Sequence, residues 1–383
     1  MKFVGLVLRN LWRSKLRTGL TILSTTVALF LFVMLRTLVT SLDASVDVAD
    51  ASRLVVRRST SLIFPLPLSY KDRLAAVEGV TGVTWMNWFG AVYPADERGF
   101  FAQFAVDHET FFDLYPELLL TPEELAAFKN ERTACIVGEK LARRYNWKPG
   151  TDVTLRGTIY PGDWTFTIRG IYRARTPEVD ATTMYFQWKG FDERMAAEDQ
   201  GGQVGVYVIR LADANQSAQT AQRIDALFAN SSAETRTETE KAFQLGFVTM
   251  MGNVRGAVRI LCIFVLSGFL LVAINTMMMA ARERTREIAV LKTLGFPDAL
   301  ILKLVLAESS LLGLLGGLIG CFGGAFVLGG LSASGNAMFA TFVVRADTVW
   351  IGILIALGMG LVSGLIPAIG AARLRVVDAL RQA

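Results

Sequence analysis

The chain of 383 residues is 52% apolar and 19% charged, and its 39 basic against 34 acidic side chains leave a formal net charge of +5. That is enough chain for several membrane spans and one separately folded domain, and the positive charge lies beside apolar runs, where it orients spans, rather than in a basic-aromatic groove for nucleic acid. One histidine and three cysteines leave no material for histidine-dependent hydrolysis, a histidine-rich zinc site or a disulfide framework.

Residues 1–17 carry Lys2, Arg9, Arg13, Lys15 and Arg17 and no acid, with Phe3, Leu6, Val7 and Leu11 on one helical face. This pattern predicts an amphipathic helix on the cytoplasmic side of a membrane. The apolar run from Gly19 to Leu35 is longer than a signal-peptide core and no small-residue cleavage pattern closes it, so 18–42 reads as a first span that stays as an anchor. Arg36 falls near its outer end, where it either snorkels to the surface or faces the bundle.

Over 43–255 hydropathy falls and turn signals multiply, which predicts a large aqueous α+β domain. Ser69 with Asp72, and Thr121-Pro122 with Glu124, read as capping boxes that open short helices. Gly79–Trp85 and Ala134–Val137 read as strands, the second followed by a helix over Glu139–Tyr145. Lys148-Pro149-Gly150 and Pro161-Gly162-Asp163 punctuate Asp152–Arg156 and Trp164–Tyr172 in the manner of a hairpin. Val204–Leu211 is a further strand, and Ala221, Ile224, Leu227 and Phe228 mark a buried helix face. Asn230–Lys241, rich in Ser, Thr and Glu, reads as a flexible link back to the membrane. Cys135 is the one cysteine in this domain; His108, between Asp107 and Glu109, reads as structural, because adjacent strand residues point apart.

A second span is expected over 256–281, with Met277, Met278 and Met279 as adaptable packing at its inner end. The segment 282–297 then carries opposite charges three apart, Glu283 with Arg286 and Arg284 with Glu287, and an apolar edge of Ile288, Leu291 and Leu294. Gly295 and Pro297 end it. A short helix between two spans is predicted, either a docking surface or a charged helix that sits at the headgroups. The third span covers 298–330; Gly313, Gly316, Gly317, Gly320 and Gly324 repeat at four-residue spacing within it and leave a face bare for close packing with the fourth span or across a dimer axis. A glycine-rich outer turn over 331–347, a fourth span over 348–372 ending near Pro367, and a basic tail over 373–383 complete the chain. The positive-inside rule puts both termini and the docking helix in the cytoplasm and the large domain outside. The sum is an α-helical membrane protein with four transmembrane helices and a large extracytoplasmic α+β domain.

Four stretches carry a family resemblance: LRNLWRSKLRTGLTILS near the start, CIVGEKLARRYNWKPGTDVTLRG in the outward domain, ERTREIAVLKTLG in the docking segment and PAIGAARLRVVDALR at the end. Together they resemble FtsX-like ABC transporter permeases of the MacB type. The resemblance implies a porter-like subdomain with a second subdomain inserted, and a location in a bacterial inner membrane. It implies that the docking segment is a coupling helix, with Glu283, Arg284, Thr285, Glu287, Ile288, Leu291, Lys292 and Gly295, and at the tail Arg375 and Asp378, meeting a separate ABC ATPase. ATP and magnesium then belong to that partner and no cofactor to this chain, which has no G-x-x-x-x-G-K-[ST] phosphate loop. A second permease copy or paralogue, a periplasmic adaptor and an outer-membrane exit duct are the further implied partners. The macrolide exporter's fused ATPase is missing, which leaves the cargo open.

The expected function is therefore that of a non-catalytic permease subunit that passes the work of ATP hydrolysis to its outward domain and exports an amphiphile. Two alternatives share the same motor, regulation of a cell-wall hydrolase and extraction of lipoproteins. An enzyme of the outward domain has no convincing constellation of acids or nucleophiles to support it.

Overall fold

The structure, a computed structural model, describes residues 15–47, 50–96, 99–176, 178–250, 254–333 and 342–374. The predicted amphipathic helix over 1–17 falls almost wholly outside them, as do Arg375 and Asp378 in the tail. The chain forms two compact units: 1–40, 253–329 and 344–383 make one, and 41–252 with 330–343 the other.

Helix α1 (Lys15–Asp47) carries the first candidate span over Lys15–Ser41. The second unit opens with β1 (Arg53–Arg58), β2 (Leu66–Pro67), α2 (Tyr70–Ala75), β3 (Val80–Trp88), β4 (Ala91–Val92) and β5 (Gln103–Val106). It continues through α3 (Phe111–Leu114), β6 (Leu118–Leu119), α4 (Pro122–Asn130), β7 (Ala134–Gly138), α5 (Glu139–Tyr145), β8 (Asp152–Gly157), β9 (Gly162–Ala174), β10 (Met184–Gln187) and α6 (Trp188–Ala196). It ends with β11 (Gln203–Val204), β12 (Val206–Leu211), α7 (Ser217–Phe228), β13 (Thr235–Thr239) and α8 (Glu240–Met250). One mixed sheet runs β13-β1-β12-β3-β5-β10-β7-β9-β8-β4.

The strands β1, β3, β12 and β13, with α2 and α7, make a split βαβ unit of order β13-β1-β12-β3, antiparallel throughout. Everything from β4 to β11 is inserted between its second and third strands, yet shares its sheet through the β3–β5 pairing. Two cores form, and period-two alternation explains them: Cys135 and Val137 of β7 enter one, Ala134 and Ile136 the other. A strand buried on both faces reads as a continuous apolar run, as ACIVG does. In the larger core Phe89 meets Trp164, Phe166, Phe186 and Phe191 edge-on, with ring centroids 5.0 to 6.2 Å apart.

Several local expectations change here. Thr121 and Glu124 do form a reciprocal capping box, but Ser69 has helical backbone angles and no capping hydrogen bond, so α2 starts without one. Leu227 is 41% exposed, while Thr220, Ile224 and Phe228 face inward. The stretch Asn230–Lys241, expected as a flexible link, contains β13, held against β1 and by Asp225, whose carboxylate accepts from the Thr235 hydroxyl, the Thr237 hydroxyl and the Thr237 amide. Alternating threonines suit a strand edge. Asp107 accepts from the Thr110 amide and hydroxyl, a turn-building role, and the imidazole of His108 lies 3.6 Å from its carboxylate.

Membrane helix α9 (Val254–Glu283) is followed by α10 (Thr285–Thr293), α11 (Asp298–Ala333) and α12 (Ala346–Ala372). Helices α9, α11 and α12 are the other three candidate spans. The expected outer turn over 331–347 is helical to Ala333, residues 334–341 lie outside the described set, and α12 begins at Ala346. Pro367 sits inside α12 rather than at its end.

Candidate coupling site

The helical segment after the second span is shorter than the predicted 282–297, because the chain breaks at Arg284 between α9 and α10. Its far end is a Schellman cap: the Gly295 amide donates to the Lys292 carbonyl at 3.0 Å and the Phe296 amide to the Leu291 carbonyl at 3.1 Å. Gly295 takes φ +87, which a side chain disfavours, and Pro297 then redirects the chain into α11.

The charges do not pair along the helix as their spacing predicted. Glu283 pairs with Arg17 of α1 and Arg284 with Glu308 of α11, whose two carboxylate oxygens accept at 2.8 and 2.7 Å. The physical reason is the break, which takes positions 283 and 284 off the face of α10. Thr285 donates its hydroxyl to the Arg282 carbonyl at 2.7 Å and so satisfies an end of α9. Lys292 reaches Asp298 at 2.8 Å and donates to the carbonyls of Ala372 and Leu374 at 2.5 and 2.9 Å, placing a cation where the carbonyls of α12 point.

Ile288 is buried against Ile301 and Ala371, and Leu291 and Glu287 line the groove that contains Arg284 and Glu308. These residues hold α10 to its own chain. Burial of an isoleucine of this kind is worth about 2 kcal/mol. The outward face is a different set: Arg286, Val290, Thr293 and Leu294 are exposed, Val290 at 51% and Leu294 at 70%. Leu294 therefore does not share the edge of Ile288 and Leu291 assigned to it from spacing. Val290 and Leu294 stand four apart on a second edge of α10, and nothing local says which of the two edges faces inward.

The bare faces of α11 separate into two contacts. A Cβ at Gly313 would stand 2.6 Å from the Ala356 carbonyl oxygen of α12, and Gly317 presses on the same alanine. Gly316 and Gly320 meet α1, where a Cβ would stand 2.9 Å from the Ile22 oxygen and 2.5 Å from the Thr26 oxygen, and Gly324 lies beside Val33. The Thr26 hydroxyl donates to the Gly316 carbonyl at 3.2 Å. The first span was not among the partners that spacing suggested. At the other end of α1, Arg36 bonds Thr348 and Asp347, each at 3.2 Å, so it faces the bundle rather than snorkelling.

Among the described residues no group of three or more His, Cys, Asp or Glu is placed to hold a metal ion. Residues 18–227, more than half of the chain, match the family model of the MacB-like periplasmic core domain, and residues 259–376 match that of the FtsX-like permease C-terminal region. The chain belongs to the MacB/FtsX family of ABC transporter permeases. This permease is 24% identical over 332 residues to an uncharacterized ABC transporter permease, MJ1507, of Methanocaldococcus jannaschii, a match covering 83% of this chain and 80% of that one. It is 34% identical over 108 residues to the uncharacterized permease YvrN of Bacillus subtilis, covering 28% of this chain and 25% of that one. The macrolide export ATP-binding/permease protein MacB of Nitrobacter winogradskyi is 38% identical over 107 residues, 28% of this chain and 16% of that one. The last two matches thus span a quarter or less of the relatives' length. The periplasmic region of MacB from Actinobacillus actinomycetemcomitans aligns in structure with 11% identity and a TM-score of 0.37, over 54% of this chain and 94% of that one.

Proposed function

We propose that this permease is a mechanotransmitter: a separate ABC ATPase binds ATP and magnesium and presses on α10, and the spans pass the motion to the outward domain, which extrudes an amphiphilic cargo. The permease itself performs no chemistry and works in pairs, with a second copy or a paralogue, so that each ATPase subunit meets one α10. The outward domain faces the periplasm and both termini the cytoplasm, in keeping with the basic residues Arg282, Arg286 and Arg373 at the α10 end of the spans. A periplasmic adaptor and an outer-membrane duct complete the export route.

The observation that carries this reading is the division of labour on α10. Ile288 and Lys292 bind its inner face, and Arg284 its leading end, to α11 and α12, while Arg286, Val290, Thr293 and Leu294 remain outside. A helix anchored on one side and bare on the other transmits a push as a rigid body. Within the residues the family resemblance implies, Glu283 and Gly295 are also exposed and stay contact candidates, whereas Ile288 and Leu291 act as the anchor.

The test is stimulation of the cognate ATPase by the reconstituted permease. R286E combined with L294E abolishes stimulation while span packing, read as thermal midpoint, is unchanged. Stimulation that survives both charges removes α10 as the contact.

A further inference from the structure

Two grooves flank α10. One ends in the Arg284–Glu308 pair and belongs to the coupling site. The other lies between the α9–α10 corner and the end of α12, walled by Met278, Ala281, Ile288, Ile366, Pro367 and Gly370, with Arg282 as the one charged residue lining it among the described residues. We propose that this second groove is a binding site for one anionic phospholipid, with an acyl chain along the apolar wall and the phosphate on Arg282.

Charge distribution favours this occupant. Around the corner Arg17 pairs with Glu283, Arg284 with Glu308 and Lys292 with Asp298, whereas Arg286 and Arg373 are exposed without a carboxylate partner among the described residues but do not line this groove. Arg282 is exposed and has no carboxylate partner among the described residues, and no acid lines its groove. A cation at the end of a span, beside an apolar cleft between helices, is the chemistry that selects an anionic headgroup over a zwitterionic one.

Space favours it too. A Cβ on Gly370 would meet nothing within 4 Å, so the floor of the groove is open where a larger residue on α12 would have closed it. Helices α9 and α12 are membrane spans, and an open apolar cleft between spans is filled by acyl chain, because water there lacks polar partners. A second copy fits less well. A two-fold contact centred on this groove would bring two Arg282 side chains together with no acid among the described wall residues to separate them.

Native mass spectrometry of the full chain, released from detergent containing equal dioleoyl phosphatidylglycerol and phosphatidylcholine, tests the site. One phosphatidylglycerol is retained in preference. R282Q lowers that retention about five-fold and leaves phosphatidylcholine unaffected. G370F, which fills the floor, lowers retention of both; G370L does the same to a smaller degree and covers the case in which phenylalanine disturbs folding. Free glycerol phosphate does not displace the lipid. Equal retention of the two lipids by the wild-type chain, wild-type retention by R282Q and G370L, displacement by glycerol phosphate, or a change in oligomeric state instead of lipid content each overturns the proposal. The outcome is separate from ATPase stimulation, since none of these residues is on the outward face of α10.

Discussion

Arg284 donates through a single nitrogen, Nη1, to both carboxylate oxygens of Glu308, and so joins the break between α9 and α10 to the interior of α11. Both side chains are largely buried, at 16% and 10% exposure, which raises the Coulomb attraction and also the penalty for stranding either charge. Loss of one partner by E308Q or R284Q should cost about 3 kcal/mol. Thermal unfolding of the full chain and its double variant gives the coupling energy, and strictly additive losses would show that the pair is not a unit.

Arg53 plays a comparable part in the unit that holds the sheet. Its guanidinium donates to Glu240 and Glu117 at 2.7 Å each and to the Leu114 carbonyl at 2.9 Å, and lies 4.3 Å from the Tyr115 ring centroid. The network ties β1, next after the first span, to the start of α8 and to the inserted segment. Burial holds the Glu240 carboxyl above its ordinary value even beside Arg53. R53A should destabilise the fold by about 3 to 5 kcal/mol, and R53K should recover only part, because an ammonium lacks the planar fork. Denaturant titration of the two variants checks the order.

Acid should act through a surface pair. The guanidinium of Arg169 hydrogen-bonds both oxygens of Glu131 and lowers its carboxyl below the usual 4.5. A group whose folded value is depressed contributes stability above its unfolded value and loses it as pH falls through the folded one. The thermal midpoint of the wild-type chain should therefore drop between about pH 5 and 3 more than that of E131Q, by a small margin that shrinks in high salt. Parallel acid limbs for the two proteins would dismiss the contribution.

The glycines of α11 make a sharper comparison. G320L pushes a side chain into the α1 backbone and should cost about 2 kcal/mol or more, whereas G323L, where a Cβ meets nothing within 4 Å, should be tolerated. Both are read as loss of thermal midpoint in detergent; equal losses would deny the close α1–α11 contact.

Cys135 is fully buried and burial pushes its thiol well up, so the thiolate that reacts is scarce. A maleimide should label it only once the sheet unit unfolds, and labelling of Cys135 in the native chain would contradict the packing of β7.

Short-range features were legible in the residues alone. Span length and the basic flanks predicted four membrane helices, Gly295 and Pro297 the stop after α10, Pro161-Gly162-Asp163 the β8–β9 hairpin, and Thr121 with Glu124 a capping box; each depends on residues a few positions apart. Long-range partners came from the fold. Arg284 finds Glu308 rather than Glu287, β13 finds β1 from across the domain, and one of two apolar edges on α10 turns inward. Coulomb attraction and close packing act through distance in space, and the fold alone sets which residues distant in sequence stand within a few ångströms of each other.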